Sequence, residues 1–476
     1  MLCAALGASA PGAGAQPYDA QAVLKRAAEA MGANGLNTLR YAGSGSAWAF
    51  GQAYQPGGAW PRQNIHSYAR LVDYAHAGYR EDIVRSRAEP GGGGPLPLAG
   101  EQRVSQLLSG EHAWNQVGPA ALPAPVALPA RIHELWTTPH GVILAAMRHR
   151  AALRFTQENG RPVSVISFTA PGRYTATAYL NADHLVERVE SRLPHPLLGE
   201  ISSSITYAEY RDWDGVRFPA RIAQRHEGQP VFELDVNEVK ANVAAAVVAP
   251  DNVRGAVERI GVERAAPGVW YLTGGSHHSV AIEMKDHMIV VESPLYDARA
   301  TLMLDAAGKL AGKPVRNVVN SHHHYDHAGG LRAAASIGAT LHVHARARPF
   351  FARAMAVPAR IAPDALAKSR RAVQLSGVGD RQVFDDGVRK VEVHAIAEST
   401  HASAFLMVYL PAEKLLIEAD AYTPLAAGAP APKPVNANHA NLVANVERLG
   451  LAVERILPLH GRIVPYAELL RMVGTP

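Results

Sequence analysis

Residues 320–330 read Asn-Ser-His-His-His-Tyr-Asp-His-Ala-Gly-Gly, and no other stretch constrains the chain so tightly. Four histidines and an aspartate fall within six residues, directly after the apolar run Val315-Arg316-Asn317-Val318-Val319. Where a chain leaves a strand, alternate side chains point the same way, so His322 and His324 share a direction. Asp326 and His327 then open a helix, and Gly329-Gly330 permits close backbone packing there. One compact turn thus offers His322, His324, Asp326 and His327 as donors. Imidazole and carboxylate suit zinc and, with open coordination positions, iron or manganese. A merely solvated His-rich loop accounts poorly for so many ionisable groups behind a buried strand.

The rest of the chain narrows the chemistry further. Cys3 is the single cysteine of 476 residues, which excludes an internal disulfide and a thiolate zinc ribbon. Any metal must therefore be held by His, Asp or Glu. The length predicts two or three domains, and a composition of 48% hydrophobic and 19% charged residues is globular. The net charge of +5 comes without a dense basic run, so nucleic acid is not the expected partner. A small-molecule substrate is expected, and a homo-oligomer is compatible with the composition. No stretch reaches the roughly 20 apolar residues needed to span a bilayer. Residues 1–16 open with Met-Leu-Cys-Ala-Ala-Leu and include Ala13-Gly14-Ala15, an A-x-A pattern. They read as the remnant of a signal peptide, or else a disordered terminus. The first reading predicts a periplasmic or secreted protein, the second a cytoplasmic one.

Residues 18–40 predict a helix and a turn, with Ala and Leu at helical spacing up to a glycine. From Tyr41 to about Asn242 apolar and polar residues alternate, punctuated by Asn159-Gly160, Asp214-Gly215 and Glu227-Gly228. That pattern predicts an antiparallel β-rich domain over residues 17–250. The glycine run Gly91 to Gly94 and the Ala/Pro-rich stretch 119–130 read as flexible insertions. The opening helix and the segment YRDWDGVRFPARI resemble the bacterial lipoprotein-carrier type of fold, a curved sheet with helices in its concavity. Beyond about Pro250, apolar strands alternate with helices, which predicts an α/β domain with buried sheets over residues 255–476.

The pattern H-x-H-x-D-H-x-G-G at 322–330 resembles the signature of the metallo-β-lactamase superfamily, and the likeness extends over roughly residues 265–470. It implies an α+β two-domain chain whose C-terminal part is an αββα sandwich. It also implies further ligands in chain order: His401 after Ser399-Thr400, Asp420 at the end of LLIEAD, and His460 at the end of VERILPLH. By this likeness His322, His324 and His401 hold a first zinc, Asp326, His327 and His460 a second, and Asp420 bridges them. Ala419 and Thr400 stand where the family often has glycine, and neither change removes a donor. The implied activity is hydrolysis of an ester, lactone, amide (β-lactam) or phosphodiester bond, with two zinc ions activating water. Asp326 doubles as a candidate catalytic residue. His278, in a Gly-Gly-Ser-His-His turn, His439 and Tyr422 are further candidates for substrate contact or proton transfer. His323, Tyr325, His342 and His344 read as packing residues. His133-Glu134 begins an H-E-x-x-H motif, but Thr137 fills its last position, so that zinc site is excluded. Competing readings are a mono-iron persulfide dioxygenase and a nuclease of the same fold, and a module whose N-terminal sheet carries an apolar ligand.

Overall fold

The computed structural model describes residues 19–89, 100–244 and 246–474. The expected signal remnant at 1–16 and the run Gly91–Gly94 lie outside those residues. Among the described residues, thirteen strands form one antiparallel sheet in the N-terminal part, as the alternating pattern predicts. Its first strand, Thr38–Trp48, lies inside the sheet between Arg62–Asp73 and Gln229–Ala241. From Arg62 the chain meanders outward to the edge strand Ala120–Pro123. It then crosses through the helices Leu128–Trp136 and Pro139–Arg148 to the opposite edge, Ala152–Glu158, and meanders back to Gln229–Ala241.

The opening helix, Ala20–Ala30, is capped by Asp19, whose carboxylate accepts from Gln21 N at 3.0 Å. Its buried stripe of Val23, Leu24, Ala27 and Ala28 packs with the two crossing helices on one face of the sheet. Alternate strand residues such as Leu39, Tyr41, Ala176, Ala178 and Leu180 complete that core. The stretch 119–130 is not the flexible insertion its composition suggests. It forms the edge strand Ala120–Pro123, a short 3-10 turn at Pro125–Ala127 and the start of a helix. The strand is fixed by pairing with His112–Val117, and Pro129 takes a first-turn position where its missing N–H costs nothing.

Two more sheets build the C-terminal part. Seven strands from Gly261–Ala266 to Gln374–Val378 lie in chain order, antiparallel up to Met288–Val291 and parallel beyond it. Six strands from Arg381–Asp385 to Val464–Pro465 form the second sheet. Strands such as Met288–Val291 and Leu406–Leu410 are buried along their whole length, which explains their unbroken apolar sequences. Ile282, Ile289, Val393, Leu406 and Ile417 meet in one core between the sheets. Helices Asp297–Ala311, Leu331–Ser336 and Arg348–Ala356 cover the outer face of the first sheet. Helices Ala437–Arg448 and Tyr466–Val473 pack on the second. Among the described residues no helix is long and apolar enough to cross a membrane.

The two parts are stitched together at the motif loop. Residues 49–61, between the first two N-terminal strands, reach onto the C-terminal part. Gly51 O accepts from Tyr325 N at 3.3 Å and Tyr54 O from Ser403 N at 2.8 Å. The Tyr54 hydroxyl donates to Ser399 O at 2.8 Å. Gly51 has φ +80°, and a Cβ there would strike the Tyr325 ring. Elsewhere along the seam, the Glu200 carboxylate accepts from the backbone N–H groups of Arg360 and Ile361.

The Gly329-Gly330 pair is a packing requirement. A Cβ on Gly330 would meet Ala300 and the backbone oxygen of Ser293, and Gly330 N donates to that same oxygen at 2.9 Å. Gly330→Ala is expected to lower stability by about 1–3 kcal/mol in urea unfolding, the usual cost of overpacking. Gly379→Ala, with open space around it, is expected to change little.

Candidate metal centre

Most of the converging side chains stand just beyond the end of an apolar strand. His322 and His324 follow Val315–Val319, and Asp420 follows Leu415–Glu418. His460 follows Arg455–Pro458, and His401 lies in the turn before Leu406–Leu410. Pairing with neighbouring strands fixes these ends. Asp420 itself adopts φ +51°, in the left-handed region that aspartate tolerates better than most residues.

The strand ends bring two groups together. His322, His324, His401 and Asp420 place their donor atoms within 4.8 Å of one another, and so do His277, His327 and His460. His401 Nε2 lies 3.2 Å from His322 Nε2 and 3.1 Å from His324 Nδ1. His460 Nε2 lies 3.3 Å from His327 Nε2. Asp420 touches both groups. Its Oδ2 is 3.0 Å from His401 Nε2 and 3.2 Å from His327 Nε2, while its Oδ1 is 2.8 Å from His460 Nε2.

This donor set fits a pair of cations. The outward nitrogens are tied to the protein: His324 Nε2 donates to Ala53 O at 3.1 Å, and His460 Nδ1 to Ser276 O at 2.8 Å. An imidazole that donates outward keeps a bare lone pair inward, and lone pairs packed face to face repel without a cation between them. The nitrogen separations of 3.1 to 3.3 Å match the edge of a tetrahedron around zinc, about 3.3 Å for Zn–N bonds of ~2.0–2.1 Å. Burial holds His322 and His324 well below the usual histidine range, the neutral form that ligation needs. Burial also opposes charge on Asp420 and His327, yet their neighbours outweigh it. His327 and His401 hold Asp420 well below the carboxylate range, and Asp420 with Asp326 holds His327 well above the histidine range. The carboxylates thus demand positive charge where the imidazoles offer lone pairs.

The sequence-based candidates divide on placement. His322, His324, His327, His401, Asp420 and His460 converge. Asp326 sits at the rim, its side chain 35% exposed, with Oδ2 3.3 Å from His277 Nε2 and Oδ1 accepting from Gln52 Nε2 at 2.8 Å. His278 bonds away from the groups, through Nε2 to Gly461 O at 3.1 Å. The Tyr422 hydroxyl reaches Glu468 at 3.3 Å, and its ring stands edge-on to His439 at 4.9 Å. These contacts tie the loop ends of the C-terminal part together. His323 donates to Ala53 O at 2.8 Å, and Tyr325 packs against Phe50.

Sequence reasoning missed four contributors. His277 passed as the less interesting half of a His-His pair. Gln52 and Ala53 lie some 270 residues upstream of the motif, in a segment with no pattern of its own. Glu292, ending the apolar run Met288–Val291, is fully buried. It lies 3.2 Å from His327 Nδ1 and accepts from Ser321 N at 2.5 Å. A lone acid at the end of a buried strand was the available signal.

A model described as Metallo-beta-lactamase superfamily matches residues 272–449. Solved structures similar to the chain include a metallo-beta-lactamase from Pontibacter korlensis, at 17% identity and TM-score 0.35, covering 45% of this chain and 97% of that one. Another is the metallo-beta-lactamase FIM-1 from Pseudomonas aeruginosa in its mono-zinc form, at 15% identity and TM-score 0.33, covering 45% and 93%. A third is a metallo beta lactamase from Hirschia baltica, at 16% identity and TM-score 0.33, covering 45% and 96%. No curated protein matches the chain.

Glu292→Gln keeps the shape of the buried site but weakens the acceptor facing His327. Such supporting partners typically change metal affinity by about 10–100-fold, and a loss of about tenfold is expected in competition with a chromogenic chelator.

Proposed function

Starting from a metallo-beta-lactamase superfamily domain over residues 272–449, we propose that this protein is a two-zinc hydrolase of a small organic molecule. The bond cleaved is an ester, lactone, amide or phosphodiester. The observation that carries this reading is Asp420, which touches both histidine groups, with Oδ2 beside His401 and His327 and Oδ1 beside His460. Zinc bound there supplies a Lewis acid and lowers the pKa of water to about 7.

His322, His324 and His401 would hold the first ion, with Asp420 beside them. His327 and His460 would hold the second, with His277 as a third imidazole. Its ring stands 4.2 Å from that of His460 and 4.8 Å from that of His327. Burial keeps His277 below the usual histidine range. Asp326, steadied by Gln52, is more exposed than Asp420 and would orient the attacking water. Water adds across the bond: its oxygen goes to the acyl carbon or phosphorus, and a proton leaves with the departing oxygen or nitrogen.

Metal analysis of the isolated protein is expected to give about two zinc ions per chain. Dialysis against a chelator is expected to abolish hydrolysis across a panel of chromogenic esters, lactones, phosphodiesters and cephalosporins, and zinc to restore it. Hydrolysis that survives metal removal overturns the reading.

The ligand assignment has its own test, read by metal titration and by the absorption spectrum of the cobalt-substituted protein. His277→Ala is expected to weaken one of the two ions and alter the spectrum. If His277→Ala keeps two tight ions while Asp326→Ala loses one, then Asp326 is the ligand and His277 only its hydrogen-bond partner.

A further inference from the structure

A cavity of about 790 Å³ lies between the inner face of the N-terminal sheet and the motif loop of the C-terminal part. This volume falls in the range of sites that enclose a drug-sized organic molecule. Its far wall is sheet and helix, with Ile201, Ile205, Ile222 and Phe232 among the lining residues. Its near wall includes Tyr325 and Asp326. Asp326 is the immediate chain neighbour of His327 and lies 3.3 Å from His277, so this one carboxylate stands between the cavity and the metal groups.

The charged side chains of the wall are carboxylates apart from Arg70, and Arg70 is paired. Arg70 lies between Glu81 and Glu134, at 2.8 Å from Nε to Glu81 and 2.9 Å from Nη2 to Glu134. Tyr68 and Tyr79 donate to the same two carboxylates, at 2.6 and 2.9 Å. Phe50 stands edge-on to His195, His226 and Tyr325, forming an aromatic partition beside the motif loop. Burial brings His195 down to about 3 and His226 to about 4, so both rings are neutral at ordinary pH. A carboxylate placed among these groups would lose its hydration and meet further carboxylates, with Arg70 already paired. A large apolar group loses only unfavourable contact with water.

We propose that this cavity is the substrate-binding site for an apolar acyl group, and that the protein hydrolyses esters of long-chain or bulky hydrophobic acids. The proposal rests on the two-zinc hydrolase reading for its chemistry and on the cavity for its specificity. The N-terminal sheet encloses the acyl chain, and residues 49–61 set the depth at which the ester bond meets the metal groups.

Two readouts separate the cavity from the chemistry. The first is steady-state hydrolysis of p-nitrophenyl laurate and p-nitrophenyl acetate by the zinc-loaded full chain. With each buried methylene contributing about 0.8 kcal/mol, kcat/KM for laurate is expected to exceed that for acetate by about a hundredfold or more. Ile205→Trp and Ile222→Trp fill the cavity. Each is expected to cut the laurate value by about tenfold, mainly through KM, and to leave acetate unchanged, which also shows that the variant is folded. The second readout is binding of a fluorescent fatty acid to the full chain before and after chelation, expected to persist without metal and to weaken in both variants. Probe binding with no ester hydrolysis overturns the hydrolase reading and with it this acyl substrate, leaving only a site for apolar ligands. Metal-dependent hydrolysis with equal rates on laurate and acetate overturns the acyl-site proposal and leaves the hydrolase reading standing. Probe binding that ignores both tryptophan variants overturns it as well.

Discussion

Five imidazole nitrogens and one carboxylate approach within about a hydrogen bond's length of one another in the interior of this protein, and most of the architecture exists to hold them there. Such an arrangement is repulsive by itself. Burial penalises protonation of His322 and His324, and the inward lone pairs have no hydrogens to share. The molecule tolerates the crowding because the groups are anchored from outside. Ala53, Ser276, Ser321 and Glu292 each fix a ring from its outer side. Rings held that way cannot rotate to escape their neighbours, which is the meaning of preorganisation at a metal site.

Strand geometry explains how residues far apart in sequence reach one point. Sheets packed face to face present their ends along a common rim. Val315–Val319, Leu415–Glu418 and Arg455–Pro458 each release a donor as they leave the core. Their unbroken apolar sequences serve both ends of the task. They fill the space between the layers, and they stop the backbone from shifting where the donors emerge. The glycines after the motif extend the same logic, since the loop must press against Ala300 and Ser293 to turn His327 inward.

The donors were legible in the sequence because their chemistry is local. A run of histidines behind an apolar strand has few accounts, and His401, before a strand, and Asp420 and His460, each after one, follow in the expected order. The alternation from Tyr41 to Asn242 likewise announced an antiparallel sheet. What escaped was set by contacts between distant segments. Gln52 and Ala53 are unremarkable residues in a loop, and only the docking of one part on the other makes them neighbours of Asp326 and His324. His277 differs from His278 by which side of the chain it faces, and no spacing rule decides that in a turn. The stretch 119–130 looked loose from its alanines and prolines, yet a single strand pairing and a proline in a first helical turn order it.

Residues 49–61 belong by sequence to one part and by contact to the other. Their backbone oxygens accept from Tyr325 and Ser403, and Ala53 O receives both His323 and His324. Cation affinity and the cohesion of the two parts are therefore thermodynamically linked. Any ion that prefers the aligned rings also pulls the two parts together, and anything that pries the parts open releases the ion.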